Sequence, residues 1–373
     1  MSSLLSLFSS CLPCFPDLSA PSITINRSKF RIIKLLGEGG FSYVYLVSQK
    51  STTSNESFYA LKKIRCPFGS NDETFKNAIK EIKNYHRFVN SKTPYIIQSI
   101  DETIINEIDG SKTIYILLPY FEKSLQDIIN NLVLNDEKMG EDEILRVFIG
   151  VCRGLKVLHN FKKATSTRPL TNEVEEEDEL LLQSEDEDDY EDALSLSQPG
   201  DANVSTTEMH ELVPYAHHDL KPANVMLSAE GLPVLVDLGS CSRARFSIKN
   251  RQQALLLTDF AQEHCTLPYR APELLDVATN VEITEKTDIW SLGCLLYCNC
   301  FGFSPFEKLE IEQGANLNLA ISQGKYVIPD GNGGYSQELI DIIRKCLVID
   351  PERRPSIDEV LEAALEISRR NGY

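Results

Sequence analysis

The sequence lacks the features of a membrane-spanning or secreted protein. Residues 1–15 are apolar but contain no Lys or Arg, so they lack the charged start of a signal peptide and are too short to span a bilayer. A second apolar stretch, Ile289–Phe303, contains Ser291, Asn299 and two glycines within 15 residues. Because a spanning helix needs about 20 apolar residues, we expect no transmembrane helix.

Clustered basic residues are also missing. No stripe of Lys and Arg with interleaved aromatic residues is present, so nucleic-acid binding is disfavoured. The net charge is −18, but residues 173–192 contain 13 Asp and Glu and no Lys or Arg, and without them it is −5. We expect 161–214 to be an acidic, disordered insertion, because its composition cannot offset chain entropy by burial. It is either a solvated loop or a docking segment for a basic protein partner.

The ten cysteines show no pattern of a disulfide framework, and most lie in apolar sequence where buried thiols are common. Cys11 and Cys14 form a C-x-x-C pair, but a zinc site would need a second pair and a redox motif would need a βαβ context. S-palmitoylation of both fits better, since two acyl chains give stable anchoring. Ser2 replaces the glycine that N-myristoylation requires. The alternative is an unmodified disordered tail.

The most informative segment that is present is His217–Asn224. Its spacing matches H-R-D-L-x-x-x-N except that His218 replaces Arg. In phosphoryl transfer, Asp219 can accept a proton from an attacking hydroxyl and Lys221 can reach the transferring phosphate. Asn224 can hold a metal ion.

A glycine-rich turn precedes this segment. Gly37–Val44 lies between the extended runs Phe30–Leu36 and Tyr43–Val47. Glycines in such a turn let backbone N–H groups approach phosphates, and Ser42 replaces the third glycine. A dinucleotide-binding fold would need a helix after the glycines, whereas the following sequence is β-rich.

Three further motifs complete the pattern. Lys62 lies in a strand-like run and has Glu81, in a helical segment, as its candidate ion-pair partner. Asp237 ends the apolar run from Val234 and stands with Leu238 where D-F-G is expected, so Asp237 is a second candidate Mg²⁺ ligand. The activation segment begins with Asp237, and the A-P-E motif that closes it ends at Glu273.

These motifs, in this order, resemble those of eukaryotic protein kinases. The glycine loop, the Asp237–Ser240 variant and Arg251–Glu273 resemble the Numb-associated kinase family, closest to its lipid-anchored serine/threonine branch with fungal vacuolar-membrane members. The resemblance implies an α+β bilobal protein-kinase fold with a small β-rich lobe and a larger, mainly helical lobe. It makes residues 28–160 and 215–367 the catalytic domain and residues 1–27 a tail with the candidate acylation site.

The resemblance also assigns roles to individual residues. Catalysis falls to Asp219, Lys221, Lys62 and Glu81, with ATP and Mg²⁺ as cofactors. Asp288 braces the catalytic loop, Glu273 pairs with Arg354, and Ile289–Phe303 forms a buried central helix. The residues assigned to ATP binding are Leu36, Gly37, Glu38, Gly39, Gly40, Phe41, Ser42, Tyr43, Val44, Ala60, Lys62, Leu118 and Tyr120.

The implied function is phosphorylation of Ser and Thr in protein substrates at the cytoplasmic face of a vacuolar or Golgi membrane. Lys221 and Pro222 independently favour Ser/Thr over Tyr. His218, Leu238 and Ser42 leave a membrane-bound pseudokinase scaffold open, although none removes a group that touches metal, phosphate or proton. The A-P-E segment disfavours a kinase for small molecules or lipids. In many kinases the Arg at the position of His218 pairs with a phosphorylated activation loop. Because His218 is a weaker and pH-dependent donor, we expect activity without phosphorylation of this loop.

Overall fold

The computed structural model describes residues 21–39, 42–50, 56–165 and 209–372. The chain divides into two compact units. The first comprises Met1–Ile82 and Ser99–Tyr120, and the second comprises Lys83–Gln98 and Phe121–Tyr373. The first is rich in strands and the second in helices, so the predicted α+β class is confirmed.

The first unit is built on a six-stranded antiparallel sheet. Its core side chains alternate along the strands and include Phe30, Val47 and Leu61. The strand order is β1-β2-β3-β4-β6-β5. The strands are β1 (Ser22–Ile25), β2 (Ser28–Glu38), β3 (Ser42–Lys50), β4 (Glu56–Cys66), β5 (Asp101–Asn106) and β6 (Lys112–Pro119).

Helix α1 (Glu73–Arg87) follows the sheet strand β4. The carboxylate of Asp72 accepts the backbone N–H of Thr74 at 2.9 Å and so caps the start of the helix. Phe75, Ala78 and Glu81 recur every three residues and are buried, so the charged Glu81 lies on the apolar face.

Eight further helices lie in the described part of the second unit. Capping boxes at Ser124, Ser304 and Ser356 start three of them. The helices are α2 (Leu125–Leu134), α3 (Glu141–His159), α4 (Arg251–His264), α5 (Lys286–Phe301), α6 (Pro305–Gln313), α7 (Leu317–Ser322), α8 (Gln337–Cys346) and α9 (Ile357–Arg370).

Helix α5 is the buried central helix predicted for the apolar stretch. Its side chains from Thr287 to Cys300 are all buried, as expected for a helix that is apolar all round. Among the described residues, no single helix has the length and apolarity of a membrane span. The bent pair α5 and α6, with a 58° break, meets that criterion by length and composition only.

Short strands position the loops of the second unit. β7 (Lys123–Ser124), β11 (Val225–Leu227) and β12 (Pro233–Leu235) form one sheet, and β12 ends two residues before Asp237. A Cβ at Gly154 of α3 would lie 2.9 Å from Leu235 Cδ1, so glycine permits this close approach of helix and strand. The other pairs are β10 (Tyr215–Ala216) with β13 (Ser242–Arg243), and β14 (Phe246–Ile248) with β15 (Val281–Ile283).

The ends of the predicted acidic insertion are ordered. Strands β8 (Lys162–Thr165) and β9 (Met209–Leu212) pair antiparallel, so the prediction of disorder is wrong at both ends of 161–214. Hydrogen bonds between the two strands satisfy backbone N–H and C=O groups of these residues. The ring centroids of Phe161 and Phe88 lie 5.5 Å apart. Residues 166–208, with the acidic run, lie outside the described residues. The same holds for Gly40, Phe41, Cys11 and Cys14.

Candidate active site

The carboxylate of Asp288 fixes the backbone of the loop that carries Asp219. This side chain is buried in the first turn of α5 and accepts the backbone N–H groups of His217 at 2.7 Å and His218 at 3.0 Å. Its Oδ2 also lies 3.1 Å from His159 Nε2. Burial raises the pKa of Asp288, but the hydrogen bond and charge of His159, with the nearby charges of His218 and His217, leave the pKa below its ordinary value. The predicted brace is therefore present in the structure.

The Asp219 carboxylate lies at the centre of a hydrogen-bond network. Lys221 Nζ donates to its Oδ2 at 2.7 Å and Asn224 Nδ2 donates to the same oxygen at 3.0 Å. Thr266 donates to its Oδ1 through the backbone N–H at 3.0 Å and the hydroxyl at 2.6 Å. Lys221 also donates to Thr266 Oγ1 at 2.7 Å. The three predicted residues are thus brought together, and Thr266 joins them.

In the segment Ser240–Pro268 the sequence offers four possible phosphosites and does not choose among them: Ser242, Ser247, Thr258 and Thr266. The contact of Thr266 with Asp219 is not among the sequence predictions. Its position 47 residues from Asp219 gives no local signal of this contact. Of the other candidates, Ser242 is buried, and the hydroxyl of Thr258 donates to the Ala254 carbonyl at 2.9 Å. Ser247 is the exposed one among these four.

The two candidate metal ligands differ in their surroundings. Asn224 Nδ2 donates to the backbone carbonyl and carboxylate of Asp219, and since both are acceptors, the amide oxygen must face the other way. Asp237 is exposed, with a φ of 61°, and the Asn224 carbonyl accepts the Val236 N–H at 3.0 Å beside it.

An amide oxygen and a carboxylate are the hard ligands that a divalent cation such as Mg²⁺ prefers, so these residues fit the ion. No cluster of three His, Cys, Asp or Glu side chains suited to a metal occurs in the described ranges. Such a two-residue set is typical of Mg²⁺ sites in which substrate phosphates supply further oxygens.

In the first unit, Lys62 and Glu81 form a close ion pair. Lys62 Nζ lies 2.7 Å from both carboxylate oxygens of Glu81, which is only 4% exposed. Lys62 is on β4, opposite Val44 of β3 and Ile116 of β6. The ion pair predicted from the sequence is therefore present. Strand pairing on both sides fixes the backbone position from which the Lys62 side chain extends.

The residues assigned to ATP binding lie on neighbouring parts of the same sheet. Leu36, Gly37 and Glu38 end β2, and a turn closed by Gly39 and Ser42 leads into β3, where Tyr43 and Val44 follow. Ala60 on β4 pairs with Leu118 on β6, and Tyr120 follows β6 directly. A Cβ at Gly37 would meet no atom within 4 Å, so the space around its backbone is open.

His218 forms a hydrogen bond with a neutral group. Its Nε2 lies 3.0 Å from Ser242 Oγ, and both residues are buried. Ser242 belongs to β13, which pairs with β10 just before the catalytic loop. The φ of His218 is 63°, a conformation that costs free energy in residues other than glycine and often occurs at functional sites.

A second contact that the sequence did not reveal involves Asn84 of α1. Its Nδ2 donates to the carbonyls of Leu238 at 2.9 Å and Cys241 at 2.8 Å. Leu238 is fully buried, in keeping with the apolar packing role predicted for it. The buried Asn84 amide therefore fixes the backbone immediately after Asp237.

Glu273 and Arg354 form the predicted ion pair. Two parallel hydrogen bonds of 2.6 and 2.7 Å join them, and the Arg354 side chain is completely buried. Arg354 also donates to the carbonyls of Val348, Lys286 and Ile349. All five of its N–H groups are thus used.

Comparisons with a protein-family model and with individual proteins all give matches to protein kinases. The protein kinase domain family matches residues 30–164 and 207–365. Serine/threonine-protein kinase ENV7 of Saccharomyces cerevisiae is 41% identical, with 97% of this chain and 98% of that protein covered. Serine/threonine-protein kinase ppk13 of Schizosaccharomyces pombe is 38% identical, with 91% and 90% covered. Human serine/threonine-protein kinase 16 is 31% identical, with 92% of both chains covered.

Replacing Glu273 by Ala should lower the free energy of unfolding by about 4 kcal/mol, because it leaves a buried guanidinium without its anion. Urea denaturation followed by circular dichroism measures the change. Glu338→Ala is the matched control, since its pair with Arg370 is exposed, spans 3.8 Å and is worth under about 1 kcal/mol. Equal losses in the two variants would contradict this role of the buried pair.

Proposed function

Because the chain belongs to the protein kinase family and is a serine/threonine protein kinase, we propose that it transfers the γ-phosphoryl group of Mg-ATP to protein hydroxyls while anchored on an internal membrane. The observation that carries the catalytic part is the network around Asp219. Family membership implies use of ATP and a divalent metal, and the choice of Mg²⁺ rests on the oxygen ligands of Asn224 and Asp237.

In this proposal Asp219 is the group that accepts the proton of the substrate Ser or Thr hydroxyl. The donors Lys221, Asn224 and Thr266 fix the orientation of its carboxylate before substrate arrives. A carboxylate held in place needs no reorganisation when the hydroxyl attacks, and positioning of this kind supplies much of the acceleration in phosphoryl transfer.

The charged residues act on the phosphates of ATP. Lys221 balances the negative charge of the transferring group, and Lys62, oriented by Glu81, holds the α- and β-phosphates. Asn224 and Asp237 would hold Mg²⁺, which neutralises phosphate charge when bound. The backbone of Gly37–Val44, with Ala60, Leu118 and Tyr120, would hold the rest of the nucleotide.

We propose that the enzyme is active without phosphorylation of its activation segment. The His218 ring already contacts Ser242 on this segment at 3.0 Å, and the His218 and Phe260 ring centroids lie 5.3 Å apart. A phosphate dianion on buried Ser242 would be desolvated at high cost. The neutral hydrogen bond therefore takes the place of an arginine–phosphate pair.

Membrane attachment is proposed to depend on Cys11 and Cys14, which lie outside the described residues. The support is their apolar sequence setting and the affinity that two acyl chains provide. By contrast, the eight described cysteines are buried, and burial raises the pKa of thiols such as Cys294 and Cys300 well above the ordinary value. Such thiols are poor acceptors for acylation.

Asp219→Asn should reduce kcat/KM by about 10³-fold, because the proton acceptor is lost. Lys62→Arg should have an effect of similar size, since the larger guanidinium does not fit the amine's position beside Glu81. The assay measures transfer of labelled phosphate from Mg-ATP to a protein substrate. Asp276→Asn and Lys63→Arg are the matched controls, and near-normal activity of the Asp219 or Lys62 variant would contradict the assignments.

Protein treated with phosphatase should keep most of its activity, because His218 is bound to an unmodified serine. Ser242→Ala should lower kcat about fivefold, as expected for the loss of one buried hydrogen bond. Ser247→Ala, an exposed position on the same segment, should have no effect. A loss of more than about tenfold on phosphatase treatment, measured with Mg-ATP as above, would refute independence from phosphorylation.

Acyl-exchange labelling should detect S-acylation in the wild-type protein and lose it in Cys11→Ser/Cys14→Ser. The double variant should also move from the membrane to the soluble fraction, because a chain without acyl groups has little affinity for lipid. Ser9→Ala/Ser10→Ala serves as the control for changes at neighbouring positions. Anchoring through these cysteines is wrong if all three proteins carry equal label and fractionate alike.

A further inference from the structure

The amide of Asn84, in the last turn of α1, is fully buried and forms hydrogen bonds at both ends. Its Nδ2 donates to the backbone carbonyls of Leu238 at 2.9 Å and Cys241 at 2.8 Å. Its Oδ1 accepts a hydrogen bond from Arg87 Nη1 at 2.5 Å. Because a guanidinium can only donate, this contact fixes which end of the amide faces the two carbonyls.

The two carbonyls belong to the turn that directly follows Asp237. The Leu238 carbonyl also accepts the Cys241 N–H at 3.2 Å, and this bond closes the turn. Both residues are fully buried, and buried carbonyls need hydrogen-bond donors. The amide of Asn84 provides a donor to each of them and so attaches the turn to α1.

The backbone before Asp237 is held by the catalytic loop. The Val236 N–H donates to the Asn224 carbonyl at 3.0 Å, and His217 Nε2 lies 3.0 Å from the Val236 carbonyl oxygen. Asp237 lies between these contacts and those of Asn84, with a φ of 61°. Such a conformation persists only where the flanking structure holds it. The direction of the exposed Asp237 side chain therefore depends on both flanks.

Arg87 connects the same amide to the strand before the catalytic loop. Its guanidinium carbon lies 4.4 Å from the centroid of the Tyr215 ring, which is a cation–π contact. Tyr215 belongs to β10, the strand that precedes His217. The guanidinium that orients the Asn84 amide is thus itself held in place by an aromatic ring.

We propose that Asn84 is a positioning residue for Asp237 and thereby sets the affinity of the site for its divalent cation. The inference rests on the proposed function, in which Asn224 and Asp237 would hold Mg²⁺. Asn84 acts through the backbone of Leu238–Cys241. Without its amide, this turn keeps its own hydrogen bond but loses its attachment to α1. Asp237 then samples more orientations, and binding of the ion has to select one of them.

Asn84→Leu, which has a similar volume but no donor, should weaken the effect of Mg²⁺ on nucleotide binding. Fluorescence of mant-ADP with the full-length protein gives the Kd of this nucleotide as Mg²⁺ is raised. The Mg²⁺ concentration at half effect should rise by about tenfold, because the site is no longer preorganised. In EDTA the Kd should stay within about twofold of wild type, since the change concerns the metal ligand.

Tyr335→Phe is the matched control for the loss of buried hydrogen bonds. The Tyr335 hydroxyl lies 3.0 Å from the carbonyl oxygens of both Met139 and Cys300. Both variants should melt at a lower temperature than wild type, but Tyr335→Phe should leave the Mg²⁺ dependence unchanged. An equal shift of the Mg²⁺ dependence in the two variants would assign Asn84 a structural role and overturn the proposal.

Hydrogen exchange measures the turn directly, without nucleotide or substrate. The backbone amides of Leu238–Ser242 should exchange about tenfold faster in Asn84→Leu, because the turn opens more often. Arg87→Met keeps a side chain over Tyr215 but cannot orient the amide, so its effect should be smaller, about threefold. Tyr335→Phe should leave these rates unchanged. Exchange as slow in Asn84→Leu as in wild type would contradict the proposal.

Asp237→Asn separates failure of this inference from failure of the proposed function. It removes the charge of the metal ligand and should abolish most of the Mg²⁺ effect on the Kd of mant-ADP. If it does so and Asn84→Leu responds to Mg²⁺ like wild type, this inference alone is wrong. If Asp237→Asn itself responds like wild type, the proposed metal site is wrong as well. Should Asn84→Leu not fold, Asn84→Ala replaces it with the same expected shifts.

Discussion

The buried carboxylate of Asp288 is the group on which the geometry of the catalytic loop depends. It satisfies two backbone N–H groups at His217 and His218, and these fix the backbone directly before Asp219. Two features stabilise the charge without solvent: the position in the first turn of α5, where the helix dipole favours an anion, and the contact with His159. The φ of 63° at His218 is sustained by these contacts.

The same loop is joined to the activation segment by hydrogen bonds of two kinds. Those between Asp219, Lys221 and Thr266 involve charged groups and are the stronger kind. The bond between His218 and Ser242 is made with a neutral hydroxyl. By contrast, the buried amide of Asn299 has no hydrogen-bond partner among the residues that the structure describes.

Much of the site was predictable because its chemistry depends on side chains at fixed local spacing. Asp219, Lys221 and Asn224 lie within six residues, and their carboxylate, amine and amide are the groups that the proposed phosphoryl transfer uses. The pair of Lys62 and Glu81 could be predicted because Lys62 follows the glycine-rich turn at the expected distance and a helical segment supplies a candidate anion. The strands at the ends of the acidic insertion were not predicted, because the prediction for 161–214 rested on the average composition of the whole segment.

The α+β class and the protein kinase family could be predicted from the sequence alone, because motifs state side-chain types and their local spacing. The same motifs name the residues that are proposed to carry the chemistry. Which distant residues contact the loop of Asp219 and the backbone after Asp237 followed from the fold. Thr266 reaches Asp219 across 47 positions, and Asn84 reaches Leu238 across 154. No local pattern encodes such contacts, since they depend on how helices and strands pack. Packing likewise buried the amide of Asn299, which its apolar sequence setting does not disclose.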